Sequence, residues 1–417
     1  MSILIKNVLF KGRELDVYIK GNYFQEIGPD LEYTADKELD GRNKAIFPSF
    51  FNCHTHAAMT LLRGYADDME LYKWLSEWIW PLEAKLTERD VYIGSKLACL
   101  EMIKSGTTFF NDMYWHMPGT FQAVSEMGMR AALASVFIDM NDKGKAKKFR
   151  SRARKIAEQS DSCEGRICYP LGPHAIYTVS RDSLIWISEF SREKNIPVHI
   201  HLSETAREVD DCCRDNGKRP VEYLDDIGFL HSNILAAHGI WLNEKERAIL
   251  AERGVTVIHC PASNRKLASG TFNYTGTASA GVNIVLGTDG CASNNNLDML
   301  EEMKFASMLA KSHDNDPKSM PAHETFECAT RNGAAAFNIN AGEIAVGKLA
   351  DCVLVDLNHP QMVPAHNLVS NLVFSANGGC VDTTICNGKI LMQGRHVPGE
   401  EEIIEQARKT VRDLPAR

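Results

Sequence analysis

No run of apolar residues in this 417-residue chain is long enough to cross a bilayer, which excludes a membrane-spanning protein built from helices. The opening stretch, Met1-Ser2-Ile3-Leu4-Ile5-Lys6, lacks the basic region followed by an apolar one that marks an export signal, so the expected location is the cytoplasm. Cys-x-x-Cys pairs are also missing. The twelve cysteines are scattered, and several, such as Cys99 and Cys168, lie in apolar segments; reduced, partly buried thiols fit this better than a disulfide framework. An excess of positive charge is lacking too: the formal net charge is -8, with few long runs of one sign, which argues against nucleic acid as a partner. The basic stretch from Lys143 to Lys155 is the exception, readable as the solvated face of a helix or as a surface that meets an anionic substrate group. What remains, 44% hydrophobic and 24% charged residues, describes a folded globular enzyme rather than a disordered chain.

Eight short apolar segments recur at intervals that leave room for a helix each time. They are Ala45 to Cys53, Thr107 to Asp112, Arg130 to Ile138, Arg166 to Leu171, Pro197 to His201, Ile234 to Ala237, Val255 to His259 and Asn283 to Leu286. Amphipathic helical patterns with capping residues near their starts lie between them, as in Asp90 to Lys104, Ser180 to Lys194 and Glu244 to Glu252. Strands alternating with helices predict an α/β fold, a (β/α)8 TIM-type barrel whose active site sits at the C-terminal ends of the strands. Those ends carry His54 and His56, Asp112, His174, His201, His238, His259 and Asp289. The flanks read differently, as short alternating strands with turn signals at Lys11-Gly12, Lys20-Gly21-Asn22 and Asn387-Gly388. The expected division is a small β-sandwich domain from residues 1–48 and 343–417, including a charged terminal helix at 400–412, with the barrel at 49–342 inserted between its halves.

Two histidines one residue apart at the end of a buried strand project to the same side, so His54 and His56 can reach one cation. His199 and His201 repeat the spacing. His201 lies nearer the mouth and is the better ligand candidate, while His199 reads as a hydrogen-bonded core histidine. Asp289 ends the last strand, as a final ligand and proton acceptor or as a helix cap. One divalent ion per subunit, zinc first and ferrous iron as the alternative, suits imidazole and carboxylate donors. A cation there would lower the pKa of a bound water toward neutrality. Glu204, three residues past His201, is placed to carry a proton to a substrate nitrogen, and His238 to orient or deprotonate the water. These parts describe metal-assisted hydrolytic attack on an electron-poor carbon.

The segments Pro48-Ser49-Phe50-Phe51-Asn52-Cys53-His54-Thr55-His56, His201-Leu202-Ser203-Glu204-Thr205, Ala237-His238-Gly239 and Gly287-Thr288-Asp289-Gly290 resemble the amidohydrolase superfamily over nearly the whole chain. More narrowly, Thr55 to Gly64, Trp80-Pro81-Leu82-Glu83, Gly172-Pro173-His174 and Pro261-Ala262-Ser263-Asn264 resemble the methylthioadenosine/S-adenosylhomocysteine deaminase group, with similarity also to 5'-deoxyadenosine deaminases and chlorohydrolase-like enzymes. The resemblance implies a metal held by His54, His56, His201 and Asp289, with Glu204, His238 and Asp289 as the catalytic acid and base groups. It also implies an adenine nucleoside as substrate. Glu83 would grip the ribose hydroxyls, His174 would hydrogen-bond the nucleoside, and Glu204 would meet the ring nitrogen. A carboxylate can accept from two vicinal hydroxyls at once, although Glu83 also fits as a first-turn helix carboxylate. Homo-oligomers are compatible with the group.

One departure bears on the substrate. Members of the group that bind homocysteine use arginines after strand three and in the following loop. Here Ser135 stands at the first position, and lysines such as Lys143 and Lys145 lie near the second. Lysine supplies charge without the bidentate fork, which favours a small 5' group, as in 5'-methylthioadenosine, 5'-deoxyadenosine or adenosine, over S-adenosylhomocysteine. Two rivals stand beside this reading: hydrolysis of another heterocycle, such as a guanine, pterin or triazine, and a non-catalytic scaffold that has kept the fold.

Overall fold

Two sheets hold the strands of the computed structural model, which describes residues 1–158 and 165–414. The larger is the barrel, with strands β1 (Phe50–Thr55), β2 (Thr107–Tyr114), β3 (Arg130–Phe137), β4 (Leu171–Pro173), β5 (Val198–Leu202), β6 (Ile234–His238), β7 (Thr256–His259) and β8 (Asn283–Leu286). Each pairs in parallel with the next. The seam between β8 and β1 is closed just past the strand end, where the Asp289 N–H donates to the His54 carbonyl at 2.9 Å. Helices cover the outer face, so both faces of the strands are buried, and Phe51, Cys53, Phe109, Leu235, Ile258 and Val285 pack together in a separate apolar cluster. Among the described residues no helix is long and apolar enough to cross a membrane.

Two of the expected strands are broken, and proline marks both breaks. The run Ala45 to Cys53 divides into Lys44–Pro48, which joins the other sheet, and β1. Arg166 to Leu171 divides into Ile167–Cys168, paired beside β3, and β4, with Pro170 between them. A residue without an N–H cannot continue a ladder. The expected helices are present, with caps that set their starts. Thr87 and Asp90 form a reciprocal capping box that begins Glu88–Lys104 two residues earlier than the pattern suggested. Arg181–Lys194 follows Ser180, and Asn243 caps Glu244–Glu252.

The second sheet takes strands from both ends of the chain and runs, by hydrogen bonding, through Lys389–Met392, Val381–Cys386, Cys352–Asp356, Lys44–Pro48, Ser2–Phe10, Arg13–Lys20 and Tyr23–Gly28, with Lys37–Asp40 beside Ser2–Phe10. Asn387 and Gly388, with φ of 52° and 66°, make the two-residue hairpin that their sequence signals. A buried ion pair, Arg130 to Asp351 at 2.6 Å, ties this sheet to β3. The terminal helix Glu400–Asp413 lies along Glu88–Lys104, where Ala407 and Leu414 join the apolar cluster of Leu62 and Tyr92. The basic stretch is the helix Lys143–Ala157, and Ala153 is its one buried residue, as a solvated face requires. Eleven cysteines are free thiols, mostly buried, and Cys163 lies outside the described residues.

Candidate active site

The strand ends bring four ligand-type groups to one point. His56 Nε2 lies 3.3 Å from Asp289 Oδ1, His54 Nε2 lies 3.4 Å from the same oxygen, and His201 Nε2 lies 3.4 Å from His56 Nε2. Donors about 2.0–2.1 Å from a tetrahedral cation are themselves about 3.4 Å apart, so this spacing is that of a ligand cage. Each ring's far nitrogen is already engaged. His56 Nδ1 faces the Met113 carbonyl at 2.7 Å, and His201 Nδ1 faces the His174 carbonyl at 2.7 Å. A carbonyl only accepts, so the ring proton sits on Nδ1 and the Nε2 lone pair points inward. His54 Nδ1 lies 2.6 Å from His199 Nε2, which gives His199 its part as the partner behind a ligand candidate. His54 Nε2 is buried and has no hydrogen-bond partner, a deficit that a cation would remove.

Electrostatics point the same way. Burial pushes His54 down to about 4 against the pull of Asp289, and it depresses His201 strongly, so these imidazoles are neutral and able to coordinate at neutral pH. For Asp289, burial alone would raise the carboxyl, but the His54 contact and the neighbouring histidines hold it well below the usual carboxylate range. Its other oxygen, Oδ2, accepts from Ser263 Oγ at 2.6 Å and Ser293 Oγ at 3.0 Å.

Glu204 and His238 sit beside the cage. His238 Nε2 is 3.7 Å from Glu204 Oε2, and its Nδ1 faces Asn264 Oδ1 at 2.9 Å, which keeps Nε2 as the basic nitrogen. Burial raises the Glu204 carboxyl. Burial would lower His238, but the charges of Glu204 and Asp289 raise it overall. The backbone here departs from strand geometry: Ser203, His238 and Asp289 have φ of 50°, 75° and 62°. Such left-handed residues cost on the order of 1–3 kcal/mol each and persist where the surroundings hold them. Glu208 supplies part of that hold, since its carboxylate accepts from the Ser203 and Glu204 N–H groups at 2.8 Å each. Burial pushes Glu208 up to about 7.

A cavity of about 70 Å³ opens over these groups. Glu83 and His174 both line it. Glu83 and Tyr114 are buried on its wall, the Tyr114 hydroxyl close to the Glu83 carboxyl, and Trp115 Nε1 donates to Glu83 Oε2 at 3.4 Å. Burial raises the Glu83 carboxyl, with Tyr114, His56 and Trp115 partly opposing the rise. His174 Nδ1 is 3.0 Å from Thr178 Oγ1, and burial pushes its ring down to about 3. Trp74 and Trp80, on and just after a turn of π-helix over Trp74–Ile79, close one side, and Tyr177 another. A neighbouring open groove shares Trp80, Glu83, Trp115 and Ile138 with this cavity, and Met140 and Arg152 are also among its lining residues.

Two polar residues at strand ends stay outside the cluster. Asp112 accepts from the Ala57 N–H at 2.7 Å and from Thr55 Oγ1 at 3.3 Å, fixing the turn after His56. His259 stacks on Phe272 with ring centroids 4.4 Å apart. Sequence reasoning passed over Tyr114, Tyr177, Trp74, Ser293 and Glu208, and it gave no individual role to Trp80, Ser263 or Arg152, which lie in the Trp80–Glu83 and Pro261–Asn264 motifs and the basic stretch. Of those passed over, only Glu208 left a local signal, the Thr205-x-x-Glu208 capping pattern, in which Thr205 Oγ1 accepts from the Glu208 N–H at 3.2 Å.

A model of the amidohydrolase family matches residues 45–391. The 5'-deoxyadenosine deaminase of Methanoregula boonei is 48% identical over 413 residues, covering 97% of this chain and 93% of that protein. The 5-methylthioadenosine/S-adenosylhomocysteine deaminase 1 of Archaeoglobus fulgidus is 48% identical over 420 residues, 99% of each chain. Among solved structures, an adenosine deaminase from Xanthomonas campestris with bound zinc superposes with a TM-score of 0.93 at 32% identity, over 100% of this chain and 98% of that one. Matched at these identities along nearly its whole length, the chain belongs to the amidohydrolase family.

Proposed function

We propose that this protein is a metal-dependent deaminase that hydrolyses the adenine of a nucleoside with a small 5' group to the inosine analogue and ammonia. The observation that carries this reading is a cluster of three imidazoles and one carboxylate of which His56, His201 and Asp289 line the same cavity as Glu204 and Glu83. The names of the relatives agree with it. His54, His56, His201 and Asp289 would hold a divalent ion, zinc by analogy with the Xanthomonas structure. Bound there, the ion would acidify water and make the nucleophile available near neutral pH.

The chain's own groups account for the remaining steps. His238 Nε2, with its other nitrogen tied to Asn264, orients the water and accepts its proton, and Asp289 shares that task through Oδ1. Glu204, whose carboxyl burial keeps protonated to higher pH, gives a proton to N1 of the adenine as the water oxygen adds to C6. Glu204, now a carboxylate, takes the remaining proton from the C6 hydroxyl and passes it to the amino group, which leaves as ammonia with a carbonyl left at C6, and the proton held by His238 returns to Glu204. Glu83 accepts from the ribose hydroxyls, and His174, neutral and held by Thr178, hydrogen-bonds the nucleoside.

Arg152 supports a second reading. The sequence places lysines where a carboxylate-binding arginine is expected, and Arg152 lines the neighbouring groove that shares Glu83 with the cavity. A 5' substituent ending in an anion, as in S-adenosylhomocysteine, would extend toward it. The test is ammonia release by the metal-replete enzyme on adenosine, 5'-deoxyadenosine, 5'-methylthioadenosine, S-adenosylhomocysteine, adenine, guanine and a pterin. Leading rates on small 5' groups support the main reading, and a lead for S-adenosylhomocysteine supports the second. Turnover of free bases alone would overturn the nucleoside assignment while leaving the hydrolytic chemistry.

A further inference from the structure

Behind the site lies a carboxylate with no part in the steps above. Glu302 stands in the first turns of the helix Met299–Asp314 and is completely buried. A first-turn carboxylate usually serves its own helix terminus from the surface. This one turns both oxygens to other elements: Oε2 accepts from the Ala262 N–H at 3.2 Å, and Oε1 accepts from Asn294 Nδ2 at 2.5 Å. Burying a carboxylate is costly unless its bonds repay the lost hydration, and burial raises this carboxyl strongly.

The two partners lead to the two proton-handling groups. Ala262 begins the short helix Pro261–Lys266, in which Ser263 donates to Asp289 Oδ2 and Asn264 accepts from His238 Nδ1. Asn294 follows Ser293, the second donor to Asp289 Oδ2, and its own amide also donates to the Thr288 carbonyl at 2.7 Å. Glu302 therefore joins the segment after β7 to the segment after β8. It does so one residue away from each serine that orients Asp289, and two from the asparagine that orients His238.

We propose that Glu302 is a positioning residue for the reaction: by tying these two segments together it fixes the carboxylate of Asp289 and the imidazole of His238 relative to each other. The proposal rests on the deaminase reading for the roles of that pair. Its geometric part, the setting of Asp289 within the cage, can be read without turnover.

The test compares Glu302→Gln, which keeps the shape but offers one acceptor oxygen, with the wild-type full-length protein. Three quantities are measured: kcat and KM on the best nucleoside, bound metal after reconstitution, and the visible spectrum of the Co2+-substituted protein. Outer partners of this kind are worth about 10- to 100-fold in activity or metal affinity. The expected result is a kcat loss of that size with KM little changed, and a shifted Co2+ spectrum. A variant that only melts at lower temperature, with wild-type kcat and spectrum, overturns the proposal. Should Glu302→Gln fail to fold, Asn294→Ala removes one arm of the tie, together with the Asn294 bond to the Thr288 carbonyl. A smaller kcat loss with an altered spectrum is then expected, and wild-type behaviour overturns the inference. If the wild type deaminates no nucleoside, the functional reading falls; an unchanged Co2+ spectrum in the variants separately removes the positioning role.

Discussion

Replacing Glu204 by glutamine tests the proton pathway most directly. The glutamine keeps the volume and one hydrogen-bonding oxygen of a side chain that is 7% exposed, so the packing around it should survive. What it cannot do is release a proton to the adenine ring. A positioned acid or base contributes about 10²- to 10⁴-fold, which corresponds to about 3–5 kcal/mol of barrier. Glu204 is asked to protonate N1 and then help ammonia depart, which argues for the upper half of that range. Its nearest ionisable partner is His238 at 3.7 Å, and it belongs to neither group of converging ligand atoms, so bound metal should remain near one per subunit. The assay is single-substrate ammonia release alongside metal analysis of the same preparation. A double variant with His238→Asn should be little worse than the poorer single one, because groups on one proton path do not contribute additively. If Glu204→Gln holds full metal and keeps kcat within about tenfold of wild type, Glu204 is not the proton carrier.

Three further outcomes follow from particular contacts. Glu83→Gln should lower kcat/KM on adenosine by about 10- to 100-fold while leaving 2',3'-dideoxyadenosine nearly unaffected, since only the former loses charge-assisted bonds; equal losses on both would make Glu83 a structural carboxylate. His259 is pushed down to about 3 by burial, against about 6.5 in the unfolded chain. With the folded value depressed, its contribution is present above about pH 6.5 and is lost as pH falls toward 3, by about 1.4 kcal/mol per unit. His259→Leu should therefore narrow the stability difference between about pH 6 and about pH 4 in urea titrations by that slope, and an unchanged difference would assign the acid sensitivity elsewhere. A β-carbon at Gly287 would lie 2.7 Å from both the amide nitrogen and the Cβ of His54. Gly287→Ala should accordingly part β8 from β1 and lose metal and activity together, whereas a variant with full metal content would show that the seam has slack.

How much of this was legible in the sequence depends on how far each residue's role is local. The ligand candidates were visible because a parallel strand ends in a loop at the barrel mouth, and a polar residue after an apolar run marks that place. Alternation along the strand explains more. His199 and His201 share a face on β5, while Val198, Ile200 and Leu202 pack in the main apolar core. The same rule explains His259: it has the parity of Val257, which packs in that core with Phe272, and not of Ile258, which packs with the Phe51 and Val285 cluster. Parity would have sorted the strand-end residues better than polarity alone. It fails for His238, which shares the parity of the outward-packed Ala236 yet reaches the site through its left-handed backbone. Glu302 left no usable trace, and the Pro261–Asn264 motif and the basic stretch gave no hint of what Ser263 and Arg152 individually do, because such partners are fixed only when separate βα units come together.

That difference explains why the motifs of this chain cluster where they do. His54 and Asp289 are 235 positions apart, yet the bond that closes the barrel runs from the Asp289 amide to the His54 carbonyl, and their side chains converge to 3.4 Å. Closing the fold and assembling the cage are one event. The strand ends must approach closely enough to share a cation, which is why glycine stands at 287, where any side chain would strike His54. Once they do, a cation held by groups on β1, on β5 and beyond β8 would tie the first strand to the last, and its binding free energy would add to the stability of the closed barrel. The left-handed conformations at Ser203, His238 and Asp289 cost free energy individually, and two of them draw on closure. Ser203 is held by Glu208 from its own segment, whereas Asp289 and His238 are held by Ser263 and Asn264 from the segment after β7, contacts that need the strand ends to meet.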